Sequence, residues 1–324
     1  MHVAIIGAGM TGLTAARHLR DAGVDVKLYD KGRGPGGRMS TRRAQIDEQT
    51  VRFDHGAQYI SPESEAFAKE VERWVEAGVA ANWTGRMVSM SEDGRISDRD
   101  PKPAFVGRPG MNEIIRHLSI GLDVQWAKRV QTVSYRGGWQ LLFETGEIET
   151  GFDRVLIAVP AEQVSDLVAE VSETIAAEAR AIRSAPCWTL MTAFEERLKP
   201  TWDAVSIEGQ PISWAARNSS KPIRHEMETW VLQASPDWST AHLEDDKEHV
   251  AQTLLSAFEK IVGAARPIFA TAHRWRYSQV EPMKSPLYYF DADIGLGACG
   301  DWCSGPKVED AWRSGQALAK RVLM

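Results

Sequence analysis

Six residues near the start of the chain have the types and spacing to hold a pyrophosphate. Gly7-Ala8-Gly9-Met10-Thr11-Gly12 is a G-x-G-x-x-G motif, and Asp30 follows at the end of an alternating run, Val24-Asp25-Val26-Lys27-Leu28-Tyr29. Gly7 permits a tight turn, Gly9 lets backbone approach a phosphate with no Cβ in the way, and Gly12 allows close helix–sheet packing. The amides at the start of the following helix, Met10 and Thr11 among them, point at the anion, and the helix dipole adds to their attraction. Asp30 is placed to accept hydrogen bonds from ribose hydroxyls. Strand, turn, helix, strand and acid in this order form a dinucleotide-binding signature far stronger than the glycines alone.

A second glycine-rich loop comes directly after the acid: Lys31-Gly32-Arg33-Gly34-Pro35-Gly36-Gly37-Arg38-Met39-Ser40, then Thr41-Arg42-Arg43. A plain NAD fold has no need of it, whereas a larger cofactor does. Gly37 brings backbone close, Arg38 offers a fork of donors to phosphate, and Lys31 and Met39 flank them. Arg33, Arg42 and Arg43 add positive charge to the same loop, with a solvated basic loop as the lesser alternative.

These elements need a scaffold. Val3-Ala4-Ile5-Ile6 is an apolar run suited to a strand buried on both faces of a parallel sheet, and Leu13, Ala15, Ala16 and Leu19 continue at helical spacing. Val155-Leu156-Ile157-Ala158-Val159 is another buried strand, ended by Pro160 and followed by a helix with Val164, Leu167, Val168 and Val171 inward. Val124, Trp126, Val130 and Val133, then Trp139, Leu141 and Phe143 beyond Gly137-Gly138, read as strands. Ile294 to Cys299 is a small-residue strand ending at Gly300-Asp301, before a final helix patterned by Val308, Ala311, Trp312, Gly315, Leu318 and Val322.

Two excursions interrupt this scaffold. In the first, Ser61-Pro62 is an N-cap with proline at the first helical position, and Phe67, Val71, Trp74 and Val75 form an apolar stripe. Asn82 to Pro103 reads as a strand pair around Glu92-Asp93-Gly94, and Gly110 introduces a helix with Met111, Ile114, Ile115 and Leu118 on one face. In the second, Trp188 to Phe194 and Trp230 to Gln233 have strand composition, and Val250, Leu254, Phe258 and Ile261 mark a helix. Arg217, Lys221, Arg224, Arg274 and Arg276 lie here and, as a set, can supply an entry for an anionic substrate.

The opening motif, the second glycine loop and Phe53-Asp54-His55-Gly56-Ala57-Gln58-Tyr59 together resemble the FAD-dependent amine oxidase superfamily. Within it the chain is similar to the bacterial renalases. That narrower resemblance runs through Phe105-Val106-Gly107-Arg108-Pro109-Gly110-Met111, Trp214 to Pro222, Thr229 to Ala234, Ala272-His273-Arg274-Trp275 and Cys299-Gly300-Asp301-Trp302-Cys303. It implies an α/β fold with a Rossmann-type FAD-binding domain (1–60, 104–170 and 283–324) interleaved with an α+β substrate domain (61–103 and 171–282). This is the amine oxidase, or p-hydroxybenzoate hydroxylase-like, architecture.

The resemblance also assigns residues. His55, Gly56 and Ala57 would join the glycine motifs at the cofactor, Val130 would meet adenine through its backbone, and Gly300 and Asp301 would approach the flavin's ribityl chain. Val308 and Glu309 would bring a helix N-terminus to the flavin's pyrimidine edge, where reduction places negative charge. Gln58, Tyr59, Cys187 and Lys307 are the substrate-side candidates. The implied reaction oxidises 2- or 6-dihydro isomers of NAD(P)H to NAD(P)+ by hydride transfer to flavin N5, with O2 reduced to H2O2. No catalytic side chain is required, since the flavin carries the chemistry. An amine oxidase or desaturase on the same fold, and a nonenzymatic flavoprotein, are the alternatives. Cys303 follows a G-D-W block rather than a covalent flavin-cysteine context, so noncovalent FAD is expected.

Composition narrows the class. The 324 residues carry a net charge of −6, which disfavours nucleic acid or an anionic membrane as the main partner. The first strand begins by residue 3 and no apolar run approaches a span of about 20 residues, so a cytoplasmic protein without a signal peptide is expected. Three cysteines form no disulfide framework, and no second Cys/His pair lies near Cys299 and Cys303 to make a zinc site.

Overall fold

A computed structural model describes residues 1–209, 211–264, 266–281 and 285–324. The chain divides into two compact units, 1–37 with 115–184 and 280–324, and 38–114 with 185–279. Residues 38–60 and 104–114, expected with the nucleotide domain, fall in the second unit, and 171–184 fall in the first. The expected boundary at 282 and 283 lies outside the described residues.

The first unit is built on a six-stranded sheet. Its central strand, His2–Ile6, pairs in parallel with Asp25–Asp30 on one side and Arg154–Ile157 on the other, with Ile5 opposite Leu28 and Leu156. Asp123–Trp126 extends the sheet beyond Asp25–Asp30, Leu296–Ala298 extends it beyond Arg154–Ile157, and Tyr289–Asp291 closes that edge antiparallel. Val3, Ala4 and Ile5 are wholly buried, as a strand covered on both faces requires. A three-stranded antiparallel sheet, Val130–Tyr135, Trp139–Phe143 and Ile148–Phe152, adds Trp139, Phe143 and Phe152 to the same core as Tyr29 and Ile157.

Two helices, one from each end of the chain, pack against one another in this unit. They are Met10–Asp21 and Val308–Val322. A Cβ at Gly315 would lie 2.3 Å from the Thr11 carbonyl oxygen, so the crossing is closed to any larger residue. The first helix and its glycine turn are thereby held by a residue three hundred positions away.

The second unit carries a seven-stranded sheet whose order runs Pro267–Val280, Ser184–Phe194, Glu228–Ala234, Ile212–Arg217, Ala204–Ile207, Met87–Met90 and Ile96–Asp98. Trp188, Phe194 and Trp230 on its strands, and Trp202 just before one of them, pack with Leu254 and Phe258 of the helix Lys247–Val262. A hairpin, Thr41–Ile46 with Gln49–Asp54, contributes Val51 and Phe53 to a smaller cluster with Met191 and Val231. Arg42 and Arg43 therefore stand on a strand and not in a solvated loop. The helix Glu65–Glu76 takes Ser64, not Ser61, as its N-cap, through a hydrogen bond from Phe67 N to Ser64 Oγ, and its Val75 faces solvent. Among the described residues, no helix is long and apolar enough to cross a membrane.

The Gly315 crossing makes a direct prediction. Gly315→Ala forces two packed helices apart and should cost about 1–3 kcal/mol, the usual penalty of overpacking. The expected outcome is a thermal unfolding midpoint several degrees below wild type. An unchanged midpoint would mean that the helices separate freely there.

Candidate active site

In the first unit the strand His2–Ile6 ends at Gly7, whose φ of +104° and whose amide, bonded to the Tyr29 carbonyl at 2.8 Å, turn the chain sharply into the helix. Met10, Thr11 and Gly12 form the buried first turn, and no side chain caps it at Gly9. The glycines differ in what they exclude. A Cβ at Gly7 would meet the Ala158 carbonyl oxygen at 2.4 Å, and one at Gly12 would meet the Gly7 carbonyl oxygen at 1.9 Å. At Gly9 a Cβ would find no atom within 4 Å, and its φ of −84° is open to any residue. Neither backbone nor packing demands glycine at position 9, and the space beside it, at an uncapped helix N-terminus, fits a pyrophosphate.

The second glycine loop returns to this place, since a Cβ at Gly37 would lie 3.8 Å from Gly9 Cα. Asp30 ties the two together: Oδ2 accepts from Ala8 N at 2.7 Å and Oδ1 from Gly32 N at 2.6 Å. Each oxygen keeps a lone pair for a ribose hydroxyl. Lys31 donates to Gln163 Oε1 at 2.9 Å, and burial together with the nearby Arg129 charge lowers its pKa. Val130, buried, opens the first strand of the three-stranded sheet. Gly300 donates its amide to Ser314 Oγ at 2.9 Å and starts the turn Asp301–Cys303, in which Asp301 is buried. Val308 and the buried Glu309 form the first turn of the last helix, and Lys307 is its exposed N-cap, whose amide donates to Asp310 Oδ2 at 3.1 Å.

The second unit holds the remaining candidates around one buried carboxylate. Asp54 Oδ1 accepts from Thr41 Oγ1 at 2.7 Å and Met111 N at 3.0 Å; Oδ2 accepts from Arg224 Nη2 at 2.6 Å and Lys221 Nζ at 3.2 Å. All three charged side chains are fully buried. Burial alone would raise the Asp54 pKa, but the two cations and the hydrogen bonds outweigh it and hold the carboxyl below its ordinary range. Burial lowers Lys221 to about 8, with Arg224 adding to the effect and Asp54 opposing it.

From Asp54 the loop to Tyr59 is clamped atom by atom. Asp54 N donates to Asn218 Oδ1 at 3.2 Å; the His55 carbonyl accepts from Trp275 Nε1 at 2.8 Å; the Gly56 carbonyl accepts from Gln233 Nε2 at 2.9 Å; Ala57 N donates to the Arg38 carbonyl at 2.8 Å. A Cβ at Gly56 would strike that Arg38 carbonyl at 2.0 Å. Arg38 Nη1 reaches the Ser278 carbonyl at 3.4 Å, and Met39 is buried beside it in sequence. Gln58 is a scaffold residue, donating to the carbonyls of Asp54 at 2.5 Å and Gly56 at 3.0 Å while Lys221 Nζ lies 3.4 Å from its Oε1. Tyr59 sits among aromatic rings, with Trp214 at 5.7 Å and Trp83 at 6.3 Å. Cys187 is buried and its thiol is pushed up to about 11 by burial, so it stays protonated.

Apart from Lys221, placed in the anion-entry set, the residues that support this loop carried no assigned role in the sequence. Asn218 and Lys221, Gln233, Trp275, and Met111 stand in four of the sequence blocks quoted above, and the structure brings all of them to Asp54–Gln58. The arginine set needs correction. Arg217 is buried and bonded to Glu228, Asp203 and three carbonyls; Lys221 and Arg224 serve Asp54; Arg274 and Arg276 both grip Glu244. Arg217, Lys221 and Arg224 are engaged inside the fold, Arg274 and Arg276 share a surface carboxylate, and the five do not act as one set.

Residues 99–323 match the family of flavin containing amine oxidoreductases. The chain belongs to that family. Residues 5–74 match the NAD(P)-binding Rossmann-like domain. Among solved structures, wild-type putrescine oxidase bound to putrescine is similar at a TM-score of 0.73 and 16% identity, over 100% of this chain and 99% of that one. A putrescine oxidase redesigned in its cofactor binding reaches a TM-score of 0.74 at 16% identity over 99% and 98%. An L-glutamate oxidase precursor from Streptomyces diastatochromogenes is 47% identical over 58 residues. That match spans 18% of this chain and less than a tenth, 8%, of the relative. As a member of the flavin containing amine oxidoreductases the chain is an FAD-dependent oxidoreductase, and the open space at Gly9 and the half-used Asp30 fit its cofactor.

Two predictions follow from these geometries. Gly9→Val should give a folded protein with the thermal midpoint of the wild-type apoprotein but with no yellow colour after purification, read from the flavin absorbance per chain. Retained FAD would show that the space is not used. His55 is 6% exposed, and burial first, then His273 and Arg42, lower its pKa from 6.5 to about 4. Between those values the unfolded chain binds a proton that the folded chain refuses, so stability falls as pH drops from 6.5 to 4, by about 3 kcal/mol from this residue. Urea unfolding of His55→Leu should show a correspondingly shallower loss over that window.

Proposed function

We propose that this chain is a renalase-like oxidase that converts 2- or 6-dihydro isomers of NAD(P)H to NAD(P)+, with O2 reduced to H2O2. FAD, when bound, supplies the hydride acceptor at N5 and the route of electrons to oxygen. The observation that carries the reading is the convergence on Asp54–Gln58: the mid-chain blocks that resemble the renalases meet on one loop and hold the Asp54 amide, the Asp54 carboxylate and the His55 and Gly56 carbonyls. A dihydropyridine isomer loses its hydride to become aromatic, so the protein has only to hold the ring and exclude water. The side chains agree with that undemanding role. The Cys187 thiol is protonated, burial keeps His55 neutral at physiological pH, and neither supplies a strong base. Tyr59 has tryptophans beside it, Trp83 and Trp214, which suit a flat heteroaromatic ring.

The family match supports a second reading, oxidation of an amine, as in the putrescine oxidases that share the fold. Anaerobic stopped-flow separates the two. Borohydride-reduced NAD, which contains all three dihydro isomers, should bleach the flavin rapidly, while pure 4-dihydro NADH, putrescine and L-glutamate should not. Bleaching by an amine, with none from the isomer mixture, would overturn the proposal.

A further inference from the structure

A cleft of about 700 Å³ opens in the second unit along the edge strand Pro267–Val280. Thr271 and His273, two apart and hence on one face of that strand, line it together with Arg42 from the hairpin and Lys247 from the start of the helix Lys247–Val262. Arg274, Glu244, Asp245 and Asp246 also line it, so cations and carboxylates are equal in number.

The carboxylates are already engaged. Glu244 is held by Arg274 at 3.0 Å and by Arg276 through both oxygens at 2.6 and 2.9 Å. Asp245 bonds His242 at 2.7 Å, and Asp246 caps the helix by accepting from the amides of Glu248 and His249. Arg42 is different: it is exposed, and among the described residues no carboxylate pairs with it. Its charge reaches inward, because it helps to lower the pKa of both His273 and His55, after burial. Lys247 pairs with Glu248 at 3.3 Å on the exposed surface and also lies near Asp246. The cleft's three cations, Arg42, Lys247 and Arg274, balance its three carboxylates, and Arg42 is the cation there that no carboxylate pairs with among the described residues.

The cleft also adjoins the clamped loop. The His273 ring lies 4.8 Å from that of His55, and both rings pack on Trp275 at 4.6 and 5.1 Å. His55 Nδ1 is buried and has no hydrogen-bond partner among the described residues.

We propose that this cleft binds the phosphate-bearing part of a dinucleotide substrate, with Arg42 as its principal cation and His273 and Thr271 as uncharged hydrogen-bonding groups. The inference rests on the dinucleotide reading above and adds to it a subsite. Guanidinium suits phosphate through its fork of donors, and an unpaired arginine can give them without first breaking an internal ion pair. A volume of this size accommodates a nucleotide.

The test uses the FAD-loaded protein, with ADP as a redox-inert probe followed by titration calorimetry. ADP should bind, adenosine should not, and Arg42→Ala should weaken ADP at least about tenfold, as expected for loss of a charge-assisted contact. Arg42→Lys should recover part of the affinity. In stopped-flow, Arg42→Ala should raise the isomer concentration for half-maximal bleaching and leave the limiting rate unchanged. No ADP binding, or equal affinity in Arg42→Ala, would overturn the inference; inorganic phosphate bound as tightly as ADP would reduce the cleft to a simple anion site and overturn it too. Bleaching by the isomers with an unaltered Arg42→Ala response would sink the subsite alone. No bleaching by any isomer, with Arg42-dependent ADP binding intact, would instead sink the proposed reaction.

Discussion

The second unit depends on a carboxylate that water never reaches. Asp54 has four donors on its two oxygens, two of them cationic, and without them a buried charge of this kind would carry a desolvation penalty of several kcal/mol. Pairing alone does not make such a group stabilising, and an apolar cluster of the same volume can be as good. What the arrangement adds is specificity of position. Its donors come from the hairpin at Thr41, the helix start at Met111 and the turn after Ile212–Arg217, and those three segments have one mutual geometry in which every lone pair is met.

That geometry propagates along the loop. His55, Gly56 and Ala57 each have a backbone group fixed by a side chain or carbonyl from elsewhere in the unit, so a stretch without regular secondary structure is as constrained as a strand. Preorganisation of this kind is what a hydride-transfer site needs, since the protein's contribution is placement and not acid–base chemistry. The neutral His55 and protonated Cys187 follow from the same dryness: burial that rigidifies the loop also removes charge from it.

Local patterns were legible in the sequence and distant ones were not. The strand, glycine turn and helix from His2 to Asp21 were readable because the period and the turn residues all lie within about twenty residues. So were the helices Asn112–Ser119 and Lys247–Val262 and the strand pair around Gly94. The partnership of Asp54 with Lys221 spans 167 positions and leaves no periodic trace. The blocks containing Asn218, Gln233 and Trp275 were visible as words, but only folding shows that they address one loop. Arg274 and Arg276 misled because charge can be counted in a sequence whereas its neutralisation by Glu244 cannot. The strand Pro267–Val280 escaped notice since its edge position mixes exposed and half-buried residues and blurs the alternation that marks a strand.

The meeting of Gly315 with Thr11 fixes an order of events at the ribosome. Every segment of the second unit has been synthesised by Gln279, and its core can close while the chain is still growing. The first unit must wait, because its sheet lacks the strand Leu296–Ala298 and the helix Met10–Asp21 lacks a packing partner until Val308–Val322 has been made. The glycine turn Gly7–Gly12 is therefore made before the second unit and acquires its final surroundings after it. Contacts of such long sequence separation form slowly, and Met10–Asp21 lacks its partner helix until Val308–Val322 has been made.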